Sequence, residues 1–167
     1  MPPLRFRRQT RKSCAIRLLK TSFWLSPNSW PLVVDAARGT VRWANAGHPA
    51  PFHIRRSAGT VERLQLIGEK PGPALGLLDT ATYTTHERTA EPGDLLMLFT
   101  DGLYEIDGLD GALFEMSQLT EAITRHRALP TPQLFDTLVA ELHAFAATGK
   151  FGDDMCLVGV DLTRLLA

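Results

Sequence analysis

The stretch LLMLFTDGLYE, residues 95–105, places five consecutive apolar residues directly before Thr100, Asp101 and Gly102. A run this apolar is too hydrophobic for an exposed edge and predicts a strand at the centre of a sheet, over residues 95–100. The carboxylate that follows the strand has two interpretations. Asp-Gly is a common turn dipeptide, and Asp101 could equally be a ligand for a hard cation.

Further strands are predicted before this run. LVVD (Leu32–Asp35) and TVRWAN flank Gly39 and predict a hairpin. PFHIRR and VERLQLI flank the turn sequence SAGT and predict two more strands. The segment GEKPGPALGLL is rich in glycine and proline and predicts a loop, and the alternating TYTTHERTA predicts a strand over residues 81–89.

Two helices and a last strand are predicted after it. The first helix covers Met116–His126 with Ser117 as its N-cap, and the second covers residues 131–148 and ends at Gly149. DDMCLVGVDL predicts the closing strand. An order of many strands, two helices and one strand is not an alternating βαβ pattern. It predicts an α+β fold with a largely antiparallel sheet.

Charge divides the chain into two parts. Its 167 residues, 44% of them hydrophobic, suit one domain with a substantial core. Residues 1–34 carry seven basic residues and no acidic one, whereas the remainder has a net charge of −7. An acidic body argues against nucleic acid as a partner. We therefore expect a basic leader over residues 1–31 outside the fold and a folded unit over residues 32–164.

The leader leaves three interpretations open. It is rich in arginine and poor in acid, as in an organelle transit peptide, and it could also be a basic arm that touches a membrane. The third is a segment that belongs to no folded unit. Elsewhere the two cysteines are isolated, and Cys156 lies in an apolar run that predicts burial. Cysteines used in this way predict a cytoplasmic protein.

Acidic residues occur at the ends of two predicted strands. Asp101 follows one strand, and Asp153 and Asp154 precede another. If these strands are antiparallel neighbours, the carboxylates meet at one rim of the sheet. Mg²⁺ and Mn²⁺ are typically held by one or two carboxylates and water. Ordinary turn and loop chemistry explains the same residues without a metal, and the pattern alone favours that explanation.

The loop NAGHP is the next candidate. Asn45 and Gly47 could simply supply the backbone conformations of a turn. A lone loop histidine such as His48 is more often structural or solvated than catalytic. The histidines show no ligand spacing, and the sequence contains neither a phosphate-binding loop nor a nucleophile elbow.

Four stretches taken together resemble one protein family. VVDAARGTVRWANAGHPAPF, GPALGLL, AEPGDLLMLFTDGLYEIDG and FGDDMCLVGV occur in this order. They are similar to the SpoIIE/RsbU-type serine phosphatases, the bacterial branch of the PPM (PP2C-like) metal-dependent protein phosphatases. The resemblance covers residues 32–162, about four-fifths of the chain. It implies the C-terminal part of a PPM β-sandwich flanked by helices, with the N-terminal part of that domain missing.

The resemblance also implies chemistry. The substrate would be phosphoserine or phosphothreonine on a small protein of the anti-sigma-factor antagonist type, and an upstream sensor domain is common in the family. Two Mn²⁺ or Mg²⁺ ions would activate a bridging water for in-line attack on phosphorus. By position, Asp101 and Asp153 match metal-ligating aspartates, Asp154 is the neighbour of the second, and Asn45 to His48 match a loop near the active site.

One departure limits what the resemblance implies. The family's first metal element, GD-x-x-G-H-G, carries the aspartate that bridges both metals, and the 167 residues contain no such stretch. We therefore expect at most one weak metal site and little or no catalysis from this chain. The alternatives are a non-catalytic pseudophosphatase that binds a phosphoprotein or another partner, and a gene fragment without independent function.

Overall fold

A computed structural model describes residues 31–65, 72–147, 151 and 154–164, together with the backbone of residues 14 and 15. Its elements, in chain order, are the strands β1 (Cys14–Ala15), β2 (Leu32–Asp35), β3 (Thr40–Trp43), β4 (Phe52–Arg55), β5 (Thr60–Arg63), β6 (His86–Thr89), β7 (Leu95–Phe99), β8 (Ile106–Asp107) and β9 (Leu113–Phe114), the helices α1 (Met116–His126) and α2 (Thr131–Phe145), and the strand β10 (Leu157–Asp161).

The strands form two main sheets and a short ribbon. The larger sheet has the order β1-β10-β7-β4-β5, and its pairs are antiparallel except for the parallel pairing of β1 with β10. The smaller sheet has the order β2-β3-β6 and is antiparallel throughout. The strands β8 and β9 pair only with each other. The predicted α+β class with mostly antiparallel strands is confirmed.

Strand β7 is the middle strand of the larger sheet, and all of its residues are buried, so it is covered on both faces. Alternate side chains of a strand point to opposite faces of its sheet. Leu95, Met97 and Phe99 belong to the core formed with α1 and α2. Leu96 and Leu98 belong to a second core, shared with the smaller sheet. The order of layers is therefore helices, larger sheet, smaller sheet, and the continuous apolar run is what a middle layer requires.

The helices agree with the sequence in position but not in their caps. The helix α1 has the predicted bounds, yet its N-cap is Glu115 and not Ser117. The N–H of Glu115 donates to the side-chain oxygen of Gln118 at 2.8 Å, so the capping box begins two residues before the predicted cap. Neither helix in the described part of the chain is long and apolar enough to cross a membrane.

The second helix ends earlier than predicted, at Phe145. The chain leaves it to join the ribbon: Ala146 forms a bridge with Gly108, and the N–H of Ala147 donates to the carbonyl of Asp107 at 3.0 Å. The predicted stop at Gly149 lies outside the described residues. Pairing with another segment, which local sequence does not reveal, ends the helix before the predicted bound at residue 148.

The strand predicted over residues 81–89 is also shorter, since only His86–Thr89 pair with β3. Tyr83 instead serves the preceding loop, where its hydroxyl donates to the carbonyl of Pro73 at 3.0 Å. Cys156 is exposed, contrary to its predicted burial, because it lies just before β10 begins. The expected limit between leader and folded unit stays a prediction.

Candidate metal centre

The predicted antiparallel pairing of the two acid-bearing strands is present. Leu157 at the start of β10 lies opposite Phe99 at the end of β7, and the N–H of Thr100 donates to the carbonyl of Cys156 at 3.1 Å. The residues after β7 and those before β10 are therefore neighbours. We call their edge of the sheet, formed by residues 100–102, 154–156 and the loop 45–48, the rim.

Asp101 is held by its own backbone at the start of a short 3₁₀ turn. Its carbonyl accepts hydrogen bonds from the N–H groups of Tyr104, at 2.9 Å, and Glu105, at 3.1 Å. Its side-chain Oδ1 accepts from the N–H of Gly102 at 3.1 Å. The side chain is exposed at the rim, so a carboxylate with a fixed backbone faces solvent directly after the central strand.

The segment before β10 is attached to this turn by Thr100. The hydroxyl of Thr100 donates to the carbonyl of Asp154 at 3.1 Å and accepts from the N–H of Cys156 at 3.0 Å. Asp154 itself is exposed. The structure thus brings Asp101 and Asp154 to the same rim, and Asp153 lies outside the described residues.

His48 also lies at the rim, because β4 pairs with β7 and the loop before β4 runs beside the end of β7. An imidazole N–H donates to the backbone carbonyl of Phe99. Burial lowers the pKa of His48 below its ordinary value of 6.5, although the Phe99 carbonyl and the charge of Asp101 act to raise it. The neutral imidazole is therefore favoured near the Asp101 carboxylate.

The loop that carries His48 is fixed by close packing. Gly47 has a positive φ of 81°, and its N–H donates to Oδ1 of Asn45 at 3.0 Å. A Cβ on Gly47 would lie 3.1 Å from the backbone nitrogen of Ala74, and one on Gly72 would lie 2.7 Å from the carbonyl oxygen of Asn45. The glycine-rich loop therefore packs on the backbone of the NAGH loop and holds it at the rim.

The chemistry of these donors fits a hard divalent cation. Aspartate oxygens are the ligands that Mg²⁺ and Mn²⁺ prefer. Among the described residues, however, no three His, Cys, Asp or Glu side chains converge on one point. The described rim therefore offers Asp101 and Asp154 as carboxylates, which suits a site of low affinity.

Sequence reasoning did not single out Thr100, whose hydroxyl attaches the two acidic segments to each other. The available signal was a threonine at the end of a buried strand, directly before the candidate aspartate. The partner of that hydroxyl is 54 residues further along the chain, so its function became visible only with the strand pairing.

A layered fold of this kind, with a carboxylate rim at its central strands, is that of the PP2C-like phosphatase domains. The family model of stage II sporulation protein E (SpoIIE) matches residues 25–163, and the chain belongs to this family. A relative with a similar sequence is protein IcfG of Synechocystis sp. (strain PCC 6803), which is 28% identical over 128 residues, 77% of this chain and 19% of IcfG.

Solved structures show the same fold. The SiaA-PP2C domain of Pseudomonas aeruginosa is 22% identical with a TM-score of 0.62, over 77% of this chain and 48% of that domain. The Mn-presoaked phosphatase domain of SpoIIE from Bacillus subtilis is 17% identical with a TM-score of 0.57, over 81% of this chain and 56% of that domain. The structure of the RsbU and RsbW domains of Rv1364c from Mycobacterium tuberculosis is 22% identical with a TM-score of 0.55, over 73% of this chain and 32% of that one. The chain thus spans about half of these structures or less.

Proposed function

We propose that this chain is the C-terminal part of a metal-dependent protein phosphatase domain. Its reaction would be the hydrolysis of phosphoserine or phosphothreonine on a small regulatory protein of the anti-sigma-factor antagonist type. The observation that carries the proposal is the attachment of the Asp154 segment to the Asp101 turn through the Thr100 hydroxyl. Membership of the SpoIIE family supports it.

In this proposal Asp101 holds a Mn²⁺ or Mg²⁺ ion together with Asp153 and Asp154. Such an ion, when bound, neutralises charge on a phosphoryl group and makes water a better nucleophile. The chain's own residues keep the carboxylates in place, and the NAGH loop closes the rim with His48 beside Asp101. The proposal includes a cytoplasmic location, an upstream sensor domain in the full-length protein, and residues 32–164 as the folded unit after a basic leader.

We also propose that the chain by itself turns over slowly or not at all. The resemblance assigns the bridging aspartate to a GD-x-x-G-H-G stretch, and the 167 residues have none. A partner-binding module without turnover is therefore the second candidate. It is favoured by the absence, among the described residues, of three convergent ligands.

Calorimetric titration with Mn²⁺ tests the metal site. We expect weak binding that falls at least about tenfold in Asp101→Asn, since a lost carboxylate removes both charge and an oxygen ligand. The matched control is Asp136→Asn, an exposed aspartate on α2, which should bind Mn²⁺ as the unchanged chain does. Equal affinities for Asp101→Asn and Asp136→Asn would refute the proposed site.

Turnover and partner binding separate the two candidate functions. With Mn²⁺ and p-nitrophenyl phosphate we expect little hydrolysis, and robust hydrolysis that disappears in Asp101→Asn would establish catalysis by this chain alone. A binding module should instead bind a phosphorylated anti-sigma-factor antagonist in calorimetry with at least about micromolar affinity, about −8 kcal/mol. If the chain shows neither hydrolysis nor binding, that result would indicate a fragment without independent function.

A further inference from the structure

At the end of the ladder between β7 and β10, the side chain of Thr100 adds two hydrogen bonds to the backbone bond from its N–H to the Cys156 carbonyl. The last paired residues are Phe99 and Leu157. Beyond them the hydroxyl of Thr100 accepts from the N–H of Cys156 and donates to the carbonyl of Asp154. A hydroxyl has a single hydrogen to donate, and here that hydrogen is used on the Asp154 peptide. Thr100 therefore keeps the two chains attached as far as Asp154, three residues before Leu157.

Gly102, on the other side of Asp101, contacts the same peptide group. A Cβ on Gly102 would lie 3.0 Å from the carbonyl oxygen of Asp154 and 3.4 Å from its carbonyl carbon. The first distance is shorter than ordinary van der Waals contact, and the atom in the way belongs to the backbone. Gly102 is buried, and its φ is not in the left-handed region, so close approach rather than backbone conformation explains the glycine.

Both sequence neighbours of Asp101 thus touch the carbonyl of Asp154, one by a hydrogen bond and the other by close packing. We propose that Thr100 and Gly102 are positioning residues that set the distance between the carboxylates of Asp101 and Asp154. They would thereby set the affinity of the divalent cation. This inference rests on the proposed function, because it concerns the same metal site.

The physical argument is the cost of assembling a ligand set. Carboxylates on two separate segments must be brought together before an ion can use both, and an ion with strict octahedral geometry tolerates little displacement. Groups that are not ligands but orient ligands commonly change metal affinity by about 10-fold to 100-fold. Thr100 and Gly102 carry no charge, so any effect that they have on metal binding must act through the position of the carboxylates.

The test compares Thr100→Val, Thr100→Ser and Gly102→Ala in the full 167-residue chain. Valine keeps the shape of threonine and removes the hydroxyl, and serine restores the hydroxyl. The control is Thr120→Val on α1. This change also removes a hydroxyl that donates to a backbone carbonyl, that of Met116, at 2.7 Å. Each variant is titrated with Mn²⁺ in a calorimeter, and its stability is measured in urea without metal.

We expect Thr100→Val to lose about tenfold in Mn²⁺ affinity, as substitutions behind metal ligands typically do. Thr100→Ser should restore most of the affinity. Gly102→Ala should also bind Mn²⁺ more weakly, because the Asp154 peptide must move to admit the methyl group. Thr120→Val should keep its affinity even where its stability falls. A merely structural hydroxyl would lower stability in both valine variants and leave Mn²⁺ affinity unchanged in each folded one.

If Thr100→Val folds and binds Mn²⁺ as tightly as the unchanged chain, the inference about positioning is overturned, whereas the proposed metal site is not. Should that variant not fold, Gly102→Ala with unchanged affinity would overturn it. An unchanged chain that binds Mn²⁺ no better than Asp101→Asn would instead refute the proposed metal site, and this inference with it. Hydrogen exchange at the Cys156 amide, which should accelerate in Thr100→Val, reports separately whether the hydroxyl attaches the segments in solution.

Discussion

At the scale of single residues, the candidate site depends on small residues that surround the aspartates. Asp101 is exposed, and its position comes from backbone hydrogen bonds within its own turn. The loop beside it depends on Gly47, whose positive φ and crowded surroundings both exclude a side chain. Residues without any chemistry of their own therefore decide where the carboxylate and the imidazole lie.

Gly47→Ala should lower the free energy of unfolding by about 2 kcal/mol or more, measured in urea. A left-handed conformation costs a residue with a Cβ about 1–2 kcal/mol. The new methyl would also lie 3.1 Å from Ala74 and 3.3 Å from Gly72, so the neighbouring loop must shift. We expect the loop of His48 to move with it.

Gly59→Ala is the matched control for that prediction. Gly59 also has a positive φ, of 67°, but its nearest neighbour lies at an ordinary contact distance of 3.6 Å, on the side chain of Arg127. Gly59→Ala should therefore lower the free energy of unfolding only by the cost of the left-handed conformation, about 1 kcal/mol. Equal losses in the two variants would show that the packing of the two loops contributes nothing.

At the scale of elements, Arg56 joins four segments of the chain. Its guanidinium donates to the carbonyls of Arg127 and Leu129 between the helices, to that of Gly93 before β7, to the hydroxyl of Thr131, and to the carboxylate of Asp161 at the end of β10. These five bonds use every N–H of the group. They fix the helix layer to the larger sheet at the end opposite the rim.

Arg56→Lys should cost about 2–3 kcal/mol of stability in urea unfolding. Lysine keeps the charge but has three donors at one point, so several half-buried carbonyls lose their partner. Arg38→Lys, an exposed position in the turn between β2 and β3, is the control and should change stability little. A loss for Arg56→Lys no larger than that of the control would mean that the ion pair with Asp161 and the five-bond geometry are dispensable.

How far the sequence predicts an element depends on what ends it. The bounds of the first helix, though not its N-cap, are predicted correctly because they depend on local sequence. The second helix is predicted too long because the chain after Phe145 bonds to Asp107, which is distant in the sequence. The strand β6 is predicted too long because Tyr83 contacts the preceding loop at Pro73 and does not extend the strand. Likewise, Asp101 was selected from local pattern and resemblance, whereas Thr100 and Arg56 were not, since their partners are 54 and up to 105 residues away.

At the scale of the whole molecule, a buried ionisable pair lies between the two sheets. His53 and Asp94 are both fully buried, and Nε2 of His53 lies 2.8 Å from Oδ2 of Asp94. His53 is opposite Leu96 in the sheet and so faces the core shared with the smaller sheet. Asp94 also accepts from the N–H of Glu91, which closes the turn before β7. The pair thus links β4 to the turn before the central strand of the same sheet.

This pair predicts how global stability depends on pH. Burial lowers the pKa of His53 below 6.5, against the hydrogen bond and charge of Asp94, and the nearby Arg88 and Arg55 lower it further. The unfolded chain therefore takes up a proton that the folded chain resists, and stability should fall as pH falls through 6.5. For Asp161, hydrogen bonds from Thr163, Thr131 and Arg56 outweigh burial and lower its pKa below 3.8, so its contribution is lost only in stronger acid.

Urea unfolding at about pH 7.5 and about pH 5.5, on either side of the ordinary histidine pKa, measures the effect. We expect the unchanged chain to be less stable at the lower pH. His53→Gln should be less stable than the unchanged chain at both pH values, and its stability should differ less between the two pH values. Glutamine can still donate to Asp94 but does not titrate. His143→Gln makes the same change on the partly exposed face of α2 and should retain most of the difference. A pH dependence that is the same in His53→Gln as in His143→Gln would show that another group is responsible.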